Sequence, residues 1–120
     1  MKRAHPESEL QQACVKYFRM QFRFHALYLF AIPNGGIRSR LEASIMQGEG
    51  VTPGVADLFL ALPSGPFHGL FIEIKSPKGR ISENQAHFFS RQRTVGYQCQ
   101  FCNSIDGFIS IVNDYMKHVT

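Results

Sequence analysis

The sequence predicts an α/β domain in which a mixed central β-sheet is flanked by helices, and three observations carry this prediction. Two short apolar runs, residues 58–62 and 70–74, are bounded by glycines and prolines and have the length of paired strands. Apolar residues recur at helical spacing before and after this strand pair. With 120 residues and 44% hydrophobic content, the chain has material for one core, and a single domain over residues 1–120 is expected.

The first predicted helix begins near Pro6, which suits an early helical position because the first turn needs no backbone donor there. Its apolar stripe is formed by Leu10, Ala13, Cys14, Tyr17 and Phe18. Glu7 and Glu9 lie in the first turn, where the helix dipole stabilises a negative charge. Glu9 is therefore explained without a catalytic role.

The next segments predict a strand, a loop and a short helix. Residues 27–32 form a continuous apolar run of strand length that ends at Pro33. The paired glycines of Asn34-Gly35-Gly36 permit backbone angles closed to other residues, so a loop is expected there. Residues 39–47 then predict a short helix, and a segment rich in glycine leads to Asp57.

Three charged residues lie at the ends of the two central apolar runs. Asp57 precedes the first run, and Glu73 and Lys75 interrupt the end of the second. Because side chains alternate along a strand, Glu73 and Lys75 share one face while Ile72 and Ile74 share the other. Two carboxylates and one ammonium are therefore expected to meet at neighbouring strand ends, which outlines a metal site with an adjacent lysine.

This set of groups suits the hydrolysis of phosphodiester bonds. Mg²⁺ takes oxygen ligands, commonly one or two carboxylates together with waters and phosphate oxygens. The metal acidifies a bound water and stabilises charge on the phosphate, while a nearby lysine can position that water. The competing interpretation is a solvent-facing Glu-Lys pair on an ordinary strand, because Glu-x-Lys alone is common.

The segment after Lys75 is polar and basic. Lys78 and Arg80 lie directly beside the predicted site and are the best candidates for phosphate contacts. Ser82-x-x-Gln85 matches a capping box, in which both side chains satisfy backbone N–H groups at a helix start. A helix that extends to residue 95, a strand at 97–102 and a closing helix at 105–116 complete the element order.

Cys99 and Cys102 do not predict a zinc site. Residues three apart on a strand face opposite sides of the sheet, so the two thiols would not bind one metal together. The sequence has no second cysteine pair to complete a tetrahedral site. Three cysteines, an odd number, also argue against a disulfide framework and favour a reducing, cytoplasmic location.

Several ordered motifs resemble the virus-type replication-repair nuclease (VRR-NUC) domain of the PD-(D/E)xK nuclease superfamily. They are Gly54-Val55-Ala56-Asp57-Leu58, Glu73-Ile74-Lys75, Gly79, Ser82 and Gln85, with Glu9 and Pro33-Asn34-Gly35-Gly36 upstream and Gly96-Tyr97 downstream. Ala56 stands where the superfamily pattern usually has proline, which would stiffen the approach to Asp57 but supplies no ligand. The likeness covers most of the chain and is to a stand-alone, phage-type member, which implies a phage or prophage origin in a bacterial host cell.

The resemblance implies a restriction-endonuclease-like fold and an endodeoxyribonuclease that depends on Mg²⁺ or Mn²⁺. It implies that Asp57 and Glu73 ligate the metal, with the backbone carbonyl of Ile74 as a third ligand. It also implies that Lys75 orients or activates the attacking water.

The resemblance adds two residues to the predicted pocket and extends the DNA-binding surface. Gln85 would belong to the active-site region, although helix capping alone explains its spacing from Ser82. Glu9 would lie near the metal and contact it directly or through water. The expected DNA-binding residues are Asn34, Gly35, Gly36, Arg38, Arg40, Lys78 and Arg80, and a plain turn with exposed arginines is the alternative for the glycine loop.

The composition indicates which kinds of partner the protein can bind. The formal net charge of +4 and the sequence pI near 9.2 suit a polyanion such as DNA. The basic N-terminus lacks a following apolar signal segment, and no apolar run approaches the roughly 20 residues that span a bilayer.

The function predicted from these observations is a structure-selective endodeoxyribonuclease that resolves four-way (Holliday) junctions as a homodimer. One alternative is a non-catalytic nucleic-acid-binding module with the same basic surface, and another is a monomeric nuclease that cuts flaps. A small-ligand α/β protein fits the basic charge less well. Phe101, Phe108 and Ile109 are candidates for a dimer interface, with core packing as the competing role.

Overall fold

The structure is a computed structural model, and it describes residues 6–33 and 39–120. The helices are α1 (Pro6–Gln21), α2 (Arg40–Gly48), α3 (Glu83–Thr94) and α4 (Ile105–Met116), and a 3-10 helix covers Arg23–Tyr28. The strands are β1 (Leu29–Ala31), β2 (Leu58–Leu60), β3 (Leu70–Ile74) and β4 (Gln98–Cys102). Within the described ranges, no helix combines the length and apolar character needed to cross a membrane.

The four strands form one mixed sheet in the order β1-β2-β3-β4. β1 pairs with β2 and β2 pairs with β3 in antiparallel fashion, whereas β3 and β4 are parallel. A parallel pair needs a crossover connection, and α3 provides it. The predicted α/β architecture with a mixed sheet and flanking helices is confirmed.

The strand predicted over residues 27–32 is wrong at its start. Only Leu29–Ala31 is a strand, because its partner β2 is itself three residues long. Leu27 and Tyr28 belong to the 3-10 helix instead. Beyond the ladder, the N–H of Ile32 donates to the carbonyl of Asp57 at 2.8 Å, which fixes the start of β2 beside the end of β1.

One face of the sheet carries the main hydrophobic core. Leu58, Ile72 and Ile74 point to this face, where α1 and α4 cover them. Fully buried members of the cluster also include Cys14, Phe18, Leu29, Leu60, Leu70, Phe108 and Val112. Phe108 is therefore a core residue, and its candidacy for a dimer interface is wrong because none of its side chain is accessible.

The opposite face carries a smaller cluster under α3. Ala56, Phe89 and Cys99 are buried there, and Phe71, Phe88 and Tyr97 pack partly against them. Cys99 thus lies on one face of β4 and Cys102 on the other, as the strand alternation predicted. This α3 face also holds the charged residues at the ends of β2 and β3.

Gly54 lies where the segment before β2 contacts the first turn of α3. Its φ is +90°, and a Cβ at this position would lie 2.7 Å from the backbone carbonyl carbon and oxygen of Asn84. Only glycine therefore allows the segment before Asp57 to contact the first turn of α3.

We expect Gly54→Ala to lower the free energy of unfolding by about 2–4 kcal/mol, because it adds a backbone clash to a left-handed conformation. Gly50→Ala is the matched control, since Gly50 has φ +105° but a Cβ added there would meet no atom within 4 Å. It should cost about 1 kcal/mol. Urea denaturation of both variants measures the difference, and equal losses would contradict the close contact with Asn84.

Candidate active site

Asp57 and Glu73 face each other at the ends of β2 and β3. The antiparallel register places Leu58 opposite Ile72, so the next pair outward is Asp57 and Glu73. Side chains of directly opposed residues lie on the same face of a sheet. The contact is reciprocal: the N–H of Asp57 donates to Oε1 of Glu73 at 3.2 Å, and the N–H of Ile74 donates to Oδ2 of Asp57 at 2.8 Å.

Lys75 joins this pair from the same face of the chain. Its Nζ lies 3.2 Å from Oε2 of Glu73, and the Lys75 and Glu73 side chains are only 16% and 5% exposed. The N–H of Lys75 donates to the carbonyl of Cys102 at 2.9 Å, which continues the pairing of β3 with β4. A half-buried ammonium is thus held beside a buried carboxylate by regular strand geometry.

Gln85 makes the contacts of both interpretations that the sequence left open. Its backbone N–H donates to Oγ of Ser82 at 3.1 Å, and its Oε1 accepts from the Ser82 N–H at 3.0 Å, which completes the capping box of α3. Its Nε2 donates to Oε2 of Glu73. An amide carries an acceptor and two donors, so one side chain caps the helix and also binds the carboxylate.

The electrostatics of this cluster centre on Glu73. Burial, together with the neighbouring charge of Asp57, raises the pKa of the Glu73 carboxyl from 4.5 to about 7, and Lys75 opposes this rise only in part. The cluster therefore has an excess of negative charge when both carboxyls are ionised. A further cation would relieve it.

The donor set of the cluster fits a hard divalent cation such as Mg²⁺. Such ions prefer one or two carboxylates and complete their shell with waters. The N–H and C=O of one strand residue point to the same side, so the Ile74 carbonyl faces the same way as the N–H that binds Asp57. Across residues 6–33 and 39–120, no three or more His, Cys, Asp or Glu residues gather into a group that could hold a metal.

The remaining predicted residues lie outside this cluster or outside the described ranges. Glu9 is exposed in the first turn of α1, and among the described residues no hydrogen bond or ion pair joins it to Asp57, Glu73 or Lys75. Arg40 is the exposed first residue of α2, and Lys78 and Arg80 are exposed in the loop after β3. Asn34, Gly35, Gly36 and Arg38 fall outside the described residues.

Two backbone donors in the site could not be recognised from residue types. The N–H groups of Asp57 and Ile74 hold the carboxylates of Glu73 and Asp57, respectively. Every residue except proline carries such a group, so no residue type marks it. Only the β2–β3 register identifies these donors.

Comparison with known proteins points to a family. The family model of the VRR-NUC domain matches residues 5–106 of the chain. A solved structure described as a VRR_NUC domain protein is similar to this chain with a TM-score of 0.81 and 25% sequence identity. The alignment covers 98% of this chain and 93% of that one. A search of curated proteins gave no match.

The raised pKa of Glu73 predicts a stability that falls as pH rises. Because the folded pKa lies above the unfolded value, protonated Glu73 favours the folded state. This contribution is complete below pH 4.5 and is lost as pH rises to about 7, and it is worth up to about 3 kcal/mol.

We therefore expect chelator-treated wild-type protein to lose more stability between pH 4.5 and 8 than Glu73→Gln does. Adding Mg²⁺ at pH 8 should restore stability only in the wild type, since a ligating carboxyl must be ionised. Chemical denaturation at each pH measures both effects. The same pH dependence in the two proteins would contradict the raised pKa.

Proposed function

This chain belongs to the VRR-NUC family, and we propose that residues 1–120 form one nuclease domain that hydrolyses DNA phosphodiester bonds with Mg²⁺ or Mn²⁺. One observation carries the proposal. Asp57, Glu73, Lys75 and Gln85 lie at the ends of two strands and in the first turn of a helix, yet they form one cluster of hydrogen bonds and an ion pair. An ordinary strand with a solvent-facing Glu-Lys pair would leave Glu73 exposed, whereas its side chain is 5% exposed.

Each member of the cluster has a role in this proposal. Asp57 and Glu73 would hold the metal, with the Ile74 carbonyl as a further ligand. When bound, the metal would acidify a water and stabilise negative charge on the phosphate. Lys75, held 3.2 Å from Glu73, orients the attacking water with its ammonium. Gln85 positions Glu73 through its amide, and Glu9 is proposed to contact the metal through water.

The DNA backbone is proposed to lie over the exposed basic residues beside this cluster. Lys78 and Arg80 follow Lys75 directly in the chain and are exposed, so their charges can reach phosphates next to the scissile bond. Arg40 is proposed to extend this surface, together with Asn34, Gly35, Gly36 and Arg38, which lie outside the described residues. The formal charge of +4 favours such a partner.

The proposed substrate is branched DNA, and the proposed assembly is a homodimer. A domain of this size offers little surface beyond its core and pocket for recognising a branch. A closed two-fold dimer would hold two Glu73 clusters in fixed relation, which suits paired cuts across a four-way junction. Phe101 and Ile109 stay candidates for such an interface, since the first is exposed on β4 and the second is partly exposed on α4. The proposal is therefore a junction resolvase.

Lys75→Ala is expected to lower the cleavage rate at least about 100-fold while DNA affinity stays close to that of the wild type, because the lysine acts on the water. Lys117→Ala is the matched control, since Lys117 is an exposed lysine whose contact is with Asp114 at 3.9 Å. Labelled DNA is incubated with each protein in Mg²⁺, Mn²⁺ or Ca²⁺, or in chelator.

Cleavage should appear with Mg²⁺ and Mn²⁺, fall strongly with Ca²⁺ and stop with chelator. Cleavage by the wild type that survives exhaustive chelation would overturn the metal assignment. DNA binding without cleavage under every condition would instead favour a non-catalytic nucleic-acid-binding module.

The substrate proposal predicts faster cleavage of four-way junctions than of matched flap, splayed-arm or linear duplex DNA. The physical reason is that two fixed sites can cut a two-fold-symmetric substrate without an intervening dissociation. Supercoiled cruciform plasmid separates the outcomes, because paired incision gives linear product whereas independent incision accumulates nicked circles. Faster cutting of flaps than of junctions would overturn the resolvase proposal and leave the nuclease assignment in place.

A further inference from the structure

Exposed apolar residues are concentrated in the segment that leads into the edge strand β1. We define the β1 patch as Met20, Phe24, Leu27, Tyr28 and Phe30, which lie at the end of α1, on the 3-10 helix and on β1. Their exposed fractions are 63%, 97%, 79%, 51% and 43%, respectively. Phe24 and Leu27 are three residues apart in the 3-10 helix, where residues at this spacing lie above one another. Five large apolar residues within eleven positions are thus left in water.

We propose that the β1 patch is the surface through which two copies of this chain associate. This inference rests on the homodimer of the proposed function and names the β1 patch as its interface, in place of Phe101 on β4 and Ile109 on α4.

The exposed area of the β1 patch is large enough to form the interface of a stable dimer. At about 200 Å² for each large side chain, the exposed fractions leave roughly 650 Å² of the five residues in contact with water. Specific interfaces bury about 600–1,000 Å² on each partner. The next apolar pair in the described chain is Leu41 and Ile45 on α2, which would supply only about 250 Å² by the same reckoning. Of these two exposed apolar surfaces, the β1 patch is therefore the one with enough area for a dimer interface.

The chemistry of the β1 patch favours a protein partner over DNA. Four of its five side chains are wholly apolar, and contact with DNA is dominated by cations that neutralise phosphates. Of the two arginines in this segment, Arg19 already donates to the carbonyls of Ala26 and Leu29 at 3.3 Å, and Arg23 is exposed at the start of the 3-10 helix. The bond to Leu29 also occupies part of the outer edge of β1, so association would occur through side chains and not by extending the sheet.

The position of the β1 patch places two active sites near each other. Phe30 lies opposite Phe59 in β2, and their rings are 5.9 Å apart. Asp57 precedes Phe59 by two residues, so its backbone lies roughly 8 Å from that of Phe30 by strand spacing and rise. Two copies that meet at the β1 patch would bring their Asp57 residues to within about 20–30 Å. A second copy bound at the β1 patch would therefore lie close to the site.

The test combines a disrupting variant with a matched control. Phe24→Asp/Leu27→Asp puts two charges into the centre of the β1 patch, and Leu41→Asp/Ile45→Asp makes the same changes on α2. All four side chains are more than half exposed, so both proteins are expected to fold with wild-type circular dichroism. Light scattering coupled to size exclusion measures the mass at micromolar concentration, and cruciform plasmid reports paired incision.

We expect the wild type and the α2 control to have twice the chain mass, and the β1 patch variant to have the mass of one chain. Its dimer dissociation constant should rise at least about 100-fold, as for loss of central apolar anchors. The ratio of linear to nicked plasmid should fall about tenfold or more, while the monomer still nicks DNA with Mg²⁺.

Other results would overturn the inference and are distinguishable from a failure of the nuclease assignment. A wild-type monomer refutes the dimer, and a β1 patch variant that stays dimeric refutes the surface. If the β1 patch variant kept the wild-type mass but bound DNA more weakly, the β1 patch would instead be a DNA-binding surface. If the wild type cleaves no DNA, the proposed function fails, while the mass measurements still decide whether the β1 patch joins two chains.

Discussion

The carboxylate of Glu73 is the group on which the arrangement of the site depends. It is buried, and it accepts from three donors that belong to separate parts of the chain: the Asp57 N–H, the Lys75 ammonium and the Gln85 amide. An unpaired charge in such surroundings is strongly destabilising. The start of β2, the end of β3 and the first turn of α3 are therefore held together by one requirement, which is that this buried carboxyl group keeps its hydrogen-bond partners.

The central part of the site could be predicted from the sequence because two short-range rules decide it. Alternation along β3 puts Glu73 and Lys75 on one face, and the turn between two apolar runs brings Asp57 opposite. The capping box at Ser82 could also be predicted, since the spacing between Ser82 and Gln85 marks the start of a helix. The contact between Gln85 and Glu73 could not be predicted from the sequence, because it depends on how α3 packs across the sheet. Capping and a site role were separate interpretations of the sequence, and the amide makes both the capping contact and the contact with Glu73.

The parts that could not be predicted depend on tertiary context. Residues 27–32 have the composition of a strand, but a strand is only as long as its partner allows, and β2 ends at Leu60. Phe108 and Phe101 are the same residue type seven positions apart, yet one is fully buried under the main sheet face and the other is half exposed on β4. Composition does not distinguish these two environments. Glu9 shows the same limit, since the helix dipole accounts for its position whether or not it approaches a metal.

The location of Gln85 in the first turn of α3 has a consequence for heat tolerance. Helix ends fray, and local opening there needs far less free energy than unfolding of the core. Each opening of the Ser82–Gln85 turn withdraws one of the three donors to Glu73 without disturbing the core beneath α1 and α4. In the proposed mechanism, catalytic competence is thus tied to a helix end, where local opening is easier than in the core. Activity should decline on warming at temperatures where the folded chain still gives a native spectrum, so the working range of the enzyme is narrower than its melting point implies.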